Sequence, residues 1–169
     1  MRHPPDRVFR ADELLGVLAK HQVDFVVIGG LAVQGHGYIR NTYDLDVIVA
    51  PTTLNATRLS EALADLEAEL RVPGRLSLAD PHQLRRAPLI STVTKFGLLD
   101  VVHVEHVAGP PKSYEALRAA ALVIPYQGIE VPVAGLSDLI RMKRAAARDQ
   151  DLADIEALTR DLEVDPEST

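Results

Sequence analysis

Cysteine is absent from this chain of 169 residues, which excludes disulfides and thiolate metal sites and leaves the redox compartment unread. Tryptophan is absent too, and aromatic residues make up only 4%. No run approaches the roughly 18 apolar residues of a membrane span. The opening Met1-Arg2-His3-Pro4-Pro5 lacks the apolar core of a signal peptide. A cytoplasmic protein with no membrane partner is therefore expected. Excess positive charge is also missing: the formal net charge of −6 argues against a surface devoted to nucleic acid, though not against a local basic groove. Hydrophobic residues, at 47%, suffice for a core. The length fits one domain over residues 1–169, with a core over about 11–134 and a helical segment over about 136–161.

Apolar periodicity orders the chain. Leu14, Leu15 and Leu18 predict a helix near residues 11–21, with Asp12 and Glu13 in its first turn, where the helix dipole favours them. A strand over 24–28, a short helix over 30–35 and a strand over 45–50 follow. Leu54, Leu59, Leu63, Leu66 and Leu70 predict one long helix over 53–70. Pro73, Pro81 and Pro88 predict irregular backbone over 71–88. The apolar runs 90–96 and 98–104 read as a hairpin hinged at Gly97, and 122–125 and 129–133 as another, turning at Gln127-Gly128. Ser113 and Ser137 are expected to cap helices reaching about Ala120 and Ala147. A last helix covers 150–160, and the tail from Glu163 is expected to fray. The expected class is α+β, a mixed sheet with helices mainly on one side, rather than a doubly wound fold.

The chemistry concentrates in two linked stretches. Val26-Val27-Ile28-Gly29-Gly30-Leu31-Ala32 reads as strand, double-glycine turn and helix. After it, Tyr43-Asp44-Leu45-Asp46-Val47-Ile48-Val49 opens a strand with two carboxylates. Residues two apart in a strand share a face, so Asp44 and Asp46 stand side by side while Leu45, Val47 and Val49 face a core. Paired carboxylates repel unless a cation lies between them, and oxygen-only ligands favour magnesium or manganese. Gly29 and Gly30 allow the backbone to approach a phosphate. A further acid, Asp100, stands in the apolar run Leu98-Leu99-Asp100-Val101-Val102, where burial would require a compensating charge.

Gly29-Gly30, 13 intervening residues, Asp44-Leu45-Asp46 and the later Asp100 resemble the polymerase-β-like nucleotidyltransferase superfamily. The likeness is strongest to small bacterial members with Gly-Gly-x-Ala, then His-Gly-x-x-Arg-x-Thr-x-Asp-Leu-Asp, here Gly29 to Ala32 and His36 to Asp46. These members end with Leu-Ile-x-Met-Lys and Arg-x-x-Asp-x-x-Asp, matched by Leu139 to Lys143 and by Arg148, Asp151 and Asp154. That ending also resembles nucleotidyltransferase toxins of abortive-infection systems. The resemblance implies that Asp44, Asp46 and Asp100 hold magnesium, with manganese as the alternative. It also makes Asp100 the group that helps deprotonate an acceptor hydroxyl. Gly29, Gly30, Arg40, Thr42 and Lys143 would bind a nucleoside triphosphate, ATP being expected. The implied reaction attaches a nucleoside monophosphate to the acceptor and releases pyrophosphate.

Other readings carry less. His36 occupies the place of the essential lysine in the Walker-like spacing from Gly30, which excludes a P-loop, and it is expected to make a structural hydrogen bond. If the strand continues, His103 and Glu105 share a face and His106 points away, a poor zinc set. Arg85-Arg86 lacks interleaved aromatics. Asp151 and Asp154 share a helix face and are available to pair with Lys143 or Arg148. Three functional classes follow. One is a transferase acting on a small molecule, a protein side chain or an RNA end. Another is a toxin–antitoxin component, either an RNA-modifying toxin or an antitoxin that adenylylates its partner. The third is a non-catalytic nucleotide-binding relative. Drug-modifying members are expected to need an extra domain or a larger acceptor pocket. The length therefore points to a macromolecular acceptor, or to a site completed by a partner protein or a second copy.

Overall fold

Phe25–Ile28 forms strand β1 of a computed structural model that describes residues 9–111 and 113–160. Phe25, Val26 and Val27 are all buried, so the segment is a continuous apolar run rather than an alternating one. Before it lies α1 (Ala11–Lys20); after it come α2 (Gly29–Gly35), β2 (Asp44–Val49), α3 (Thr53–Asp65), β3 (Glu69–Leu70) and α4 (Pro81–Arg86). The hairpin β4 (Leu89–Thr94) and β5 (Gly97–Val102) leads through a 3-10 turn at Val104–His106 to α5 (Tyr114–Ala119). A second hairpin, β6 (Leu122–Tyr126) and β7 (Ile129–Val133), precedes α6 (Leu136–Ala146) and α7 (Asp149–Arg160).

Among the described residues the strands form one sheet in the order β3-β4-β5-β2-β1-β7-β6. It is mixed: β2 lies antiparallel to β1 but parallel to β5, and β1 lies parallel to β7. The α+β expectation is met. Leu45, Val47 and Val49 join Leu14, Leu15 and Leu18 of α1 and Leu59, Ala62 and Leu63 of α3 in the core. Asn55, itself buried, ties the start of α3 to the sheet. Its Nδ2 donates to the carbonyls of Asp24 (2.9 Å) and Ala50 (3.0 Å), and its Oδ1 accepts from the Asp24 amide at 2.7 Å. The ends of β1 and β2 remote from the paired acids are thereby held together.

Several boundaries depart from the sequence reading. The helix expected over 53–70 stops at Asp65 because Glu67 turns left-handed (φ 52°) and the Ala68 amide bonds back to the Leu63 carbonyl. Glu69 and Leu70 then pair with Val93 and Thr92 as a strand. Irregular backbone over 71–88 is interrupted by α4, which Asp80 caps and Pro81 opens. The first hairpin turns at Lys95-Phe96, with Gly97 (φ 113°) as the first residue of β5. Ser113 caps α5 as expected, accepting from the Ala116 amide. Ser137 caps nothing: α6 starts at Leu136, and Ser137 lies in its first turn. The tail from Glu163 lies outside the described residues.

Candidate active site

The sheet register builds the acidic cluster. Asp46 stands opposite Asp100 across the parallel pair β2–β5, and Asp44 lies two residues before it on the same face. Oxygens of Asp44, Asp46 and Asp100 all lie within 4.8 Å of one another, close enough to share a cation. Burial first, then the charges of Asp44 and Asp100, push the Asp46 carboxyl up to about 7, while Arg148 and Lys143 pull it back. Three carboxylates held this close need a positive counter-charge, and a divalent ion with oxygen ligands suits the donor set.

Each acid has a distinct surround. Thr42 Oγ1 donates to the Asp44 carbonyl (3.2 Å) and to Asp44 Oδ1 (3.3 Å), bracing the start of β2. Ser91 Oγ donates to Asp100 Oδ1 at 2.7 Å, and Arg71 Nη2 lies 3.3 Å from the same oxygen. Asp100 Oδ2 has no protein partner among the described residues. Sequence reading missed Ser91, yet a hairpin with a two-residue turn at 95–96 places Ser91 opposite Asp100 by counting alone.

The double glycine proves necessary for the acids themselves. Ile28 pairs with Asp46, so the chain leaves β1 directly over that carboxylate. Gly29 turns with φ 70°, and a Cβ there would strike the Asp46 carboxylate; a Cβ on Gly30 would overlap the Arg40 guanidinium. Gly29→Ala is therefore expected to cost about 1–2 kcal/mol for the left-handed backbone, plus whatever displacing Asp46 adds. Chemical denaturation measures it, and an unchanged midpoint would show that the turn relaxes freely.

Opposite the glycines, α6 and α7 present a network of charges. Lys143 Nζ lies 2.8 Å from Asp154 Oδ2 and 3.4 Å from Asp151 Oδ1, and all three residues are buried. Arg40 Nε lies 3.1 Å from Asp154 Oδ1. Arg148 binds Asp151 through Nε at 2.8 Å, Nη2 at 3.4 Å and its backbone amide at 3.2 Å. Burial acts to raise the Asp151 carboxyl, but the Arg148 hydrogen bonds and the Lys143 charge hold it below the ordinary carboxylate range. The expected pairing of Asp151 and Asp154 with Lys143 and Arg148 is thus observed. A cavity of about 380 Å³ separates these helices from the sheet. Its lining includes Gly29, Gly30, Arg40, Asp44, Asp46, Asp100, Lys143 and Arg148.

Among the described residues no histidine lines this cavity. β5 ends at Val102, so His103 and Glu105 do not continue a strand, and His103 Nδ1 donates to the Ala87 carbonyl at 3.1 Å. His36 Nε2 donates to the Ala134 carbonyl at 2.8 Å, the structural bond expected of it.

Comparison with solved structures gives the fold a context. The lincosamide antibiotic adenylyltransferase LnuA, solved with lincomycin bound, is similar at 14% identity and a TM-score of 0.62, over 90% of this chain and 98% of that one. The antibiotic-resistance factor ANT(2'')-Ia matches at 12% identity and a TM-score of 0.58, over 89% of this chain and 80% of that one. A putative nucleotidyltransferase from Thermotoga maritima, TM1012, matches at 16% identity and a TM-score of 0.50, over 95% and 99%. These are likenesses of fold. The near-complete coverage of LnuA removes the ground for expecting a drug-modifying member to need an extra domain. A search of curated proteins finds no match to the sequence. The family model described as nucleotidyltransferase of unknown function, DUF6036, matches residues 6–166, and the chain belongs to that family.

Proposed function

We propose that this protein transfers a nucleoside monophosphate from a nucleoside triphosphate, ATP being expected, to an acceptor hydroxyl with release of pyrophosphate. The observation that carries the reading is the convergence of Asp44, Asp46 and Asp100 within 4.8 Å beside the Gly29-Gly30 turn. Those carboxylates would hold magnesium, or manganese in its place. Bound there, the ion would neutralise phosphate charge and polarise the reacting phosphoryl group.

The chain's own residues divide the remaining work. The Gly29-Gly30 backbone, free of side chains, lets the triphosphate come close. Arg40 and Lys143 orient it, set in place by Asp154 and Asp151, while Thr42, expected to bind the nucleotide, instead braces the acid strand through Asp44. Asp100, whose Oδ1 is occupied by Ser91 and Arg71, offers Oδ2 to the acceptor proton. The acceptor oxygen then bonds the α-phosphorus as the bond to the β-phosphate bridge breaks, and pyrophosphate departs with the leaving electron pair. Membership of a toxin–antitoxin pair would use the same chemistry on an RNA or protein acceptor, and a drug or other small molecule would use it on an alcohol.

The test follows the thermal midpoint of the wild type and of an Asp44→Ala/Asp46→Ala double variant with magnesium and each of the four triphosphates. A metal-dependent rise with one nucleotide, absent from the double variant, is expected. Labelled transfer from that nucleotide to RNA, protein and small-molecule pools then identifies the acceptor. No shift in the wild type at millimolar ligand would remove independent nucleotidyl transfer.

A further inference from the structure

Among the described residues three cations line the carboxylate cavity, Lys143 of α6, Arg148 at the turn into α7 and Arg40 beside Gly30, and they differ sharply in how they are held. Lys143 is buried between two carboxylates, its side chain 6% exposed. Arg40 lies against Gly30 with Nε on Asp154, its side chain 22% exposed. Lys143 is thus enclosed by its two acids, and Arg40 is set back against Gly30 and the buried Asp154. Arg148 is the contrary case: its side chain is 79% exposed, yet one edge of the guanidinium is fixed on the buried Asp151. Nε and one Nη2 hydrogen are used there, so the Nη1 pair and the other Nη2 hydrogen have no protein acceptor among the described residues.

The backbone explains how a solvent-facing arginine comes to be fixed. Ala147 adopts a left-handed conformation (φ 51°, ψ 29°) that ends α6 and reverses the chain into α7. Arg148 sits at that reversal, and its own amide is bound by the Asp151 carboxylate that also holds its side chain. Backbone and guanidinium are therefore tied to one buried anchor, which Lys143 holds from its other side.

From this geometry, and resting on the nucleotidyl-transfer reading of the cavity, we infer that Arg148 binds the β,γ-phosphate end of the nucleoside triphosphate, with Asp151 as its positioning residue. A half-anchored guanidinium leaves a planar set of donors matched to phosphate oxygens. Arg71 does not compete, because it is directed to Asp100 and is not among the residues that line the cavity. A plain Arg–Asp pair one helical turn apart would also explain the geometry, but it would give no preference among ligands that differ only in phosphate number.

That preference is what the experiment reads. Calorimetry with magnesium would compare α,β-methylene ATP, inorganic pyrophosphate and AMP on the wild type, Arg148→Ala and Arg148→Lys. Removing one charge-assisted hydrogen bond corresponds to roughly 10–100-fold weaker binding. This weakening is expected for the triphosphate analogue and pyrophosphate in Arg148→Ala, with AMP unchanged. Arg148→Lys, which keeps a charge against Asp151, is expected to recover part of it and guards against a folding defect. Equal weakening of all three ligands, or none, would overturn the assignment while leaving nucleotide binding intact. Failure of the wild type to bind any of the four triphosphates with magnesium would instead overturn the functional reading, and this inference with it.

Discussion

Lys143→Met is expected to lower the unfolding free energy by about 3 kcal/mol, the low end of what removing one partner of a buried ion pair costs. The low end applies because neither acid is left alone: Asp151 keeps Arg148 and Asp154 keeps Arg40. What disappears is the ammonium that lies 2.8 Å from Asp154 and 3.4 Å from Asp151, with all three groups nearly closed to water. Methionine fits the stem of the lysine, so the loss measures charge rather than a cavity. Adding Asp154→Asn to Lys143→Met is expected to cost less than the separate changes together, since the second removes a charge that the first left with Arg40 alone as counter-charge. Urea titration of the wild type, the two single variants and the pair supplies the cycle. A single-variant loss under about 1 kcal/mol, the scale of a surface pair, would show that water already serves these charges.

Asp46→Asn is expected to stabilise the protein in chelator at pH 8 and to abolish the magnesium response proposed for the wild type. The sign follows from the folded carboxyl standing at about 7 against an ordinary 3.8. Between those values the folded state binds a proton that the unfolded chain has released, so wild-type stability falls as pH rises from about 4 to about 7. The stabilisation tied to that proton is fully present below 3.8 and lost above 7, and it amounts to about 4 kcal/mol as an upper bound. Asparagine cannot ionise and escapes the loss. Below about pH 4 wild type and variant should therefore lie close together, and at pH 8 the variant should be the more stable. Under the proposed function magnesium is expected to reverse the ranking, because the variant lacks one of the three carboxylates that would hold it. Thermal midpoints across pH, with chelator and with magnesium, show both effects; parallel curves for the two proteins would refute the proposed strain among the acids.

Much of the site was legible because its determinants are local. Strand alternation puts Asp44 and Asp46 on one face, and the structure keeps them there, with Leu45, Val47 and Val49 in the core. Asp100 needed a parallel pairing between segments more than fifty residues apart, which no local pattern encodes; the family resemblance supplied it. The charge network was visible as a set of residue types but not as a geometry, because Arg40 meets Asp154 only after α7 has docked. The misread helix over 53–70 has a similar cause. Its leucine spacing is sound, but Glu67 takes a left-handed cap where glycine would have announced one, and pairing with β4 claims Glu69 and Leu70. By contrast α4 carried its own signal, Asp80 before Pro81, which the surrounding prolines obscured.

The position of β1 bears on how the chain reaches this state at all. Its antiparallel neighbour β2 follows within a short stretch, but its other edge waits for β7, where Val27 meets Val133 more than a hundred residues later. Closing so long a loop must precede the reward of the pairing, which slows folding. During synthesis the edge of β1 stays open until the second hairpin emerges, an apolar strand with unpaired amides in a half-made protein. The ribosome thus releases the acidic strand early and its completed surroundings last, so a nascent chain carries its carboxylates long before it carries Lys143 and Arg148, the cations that offset them.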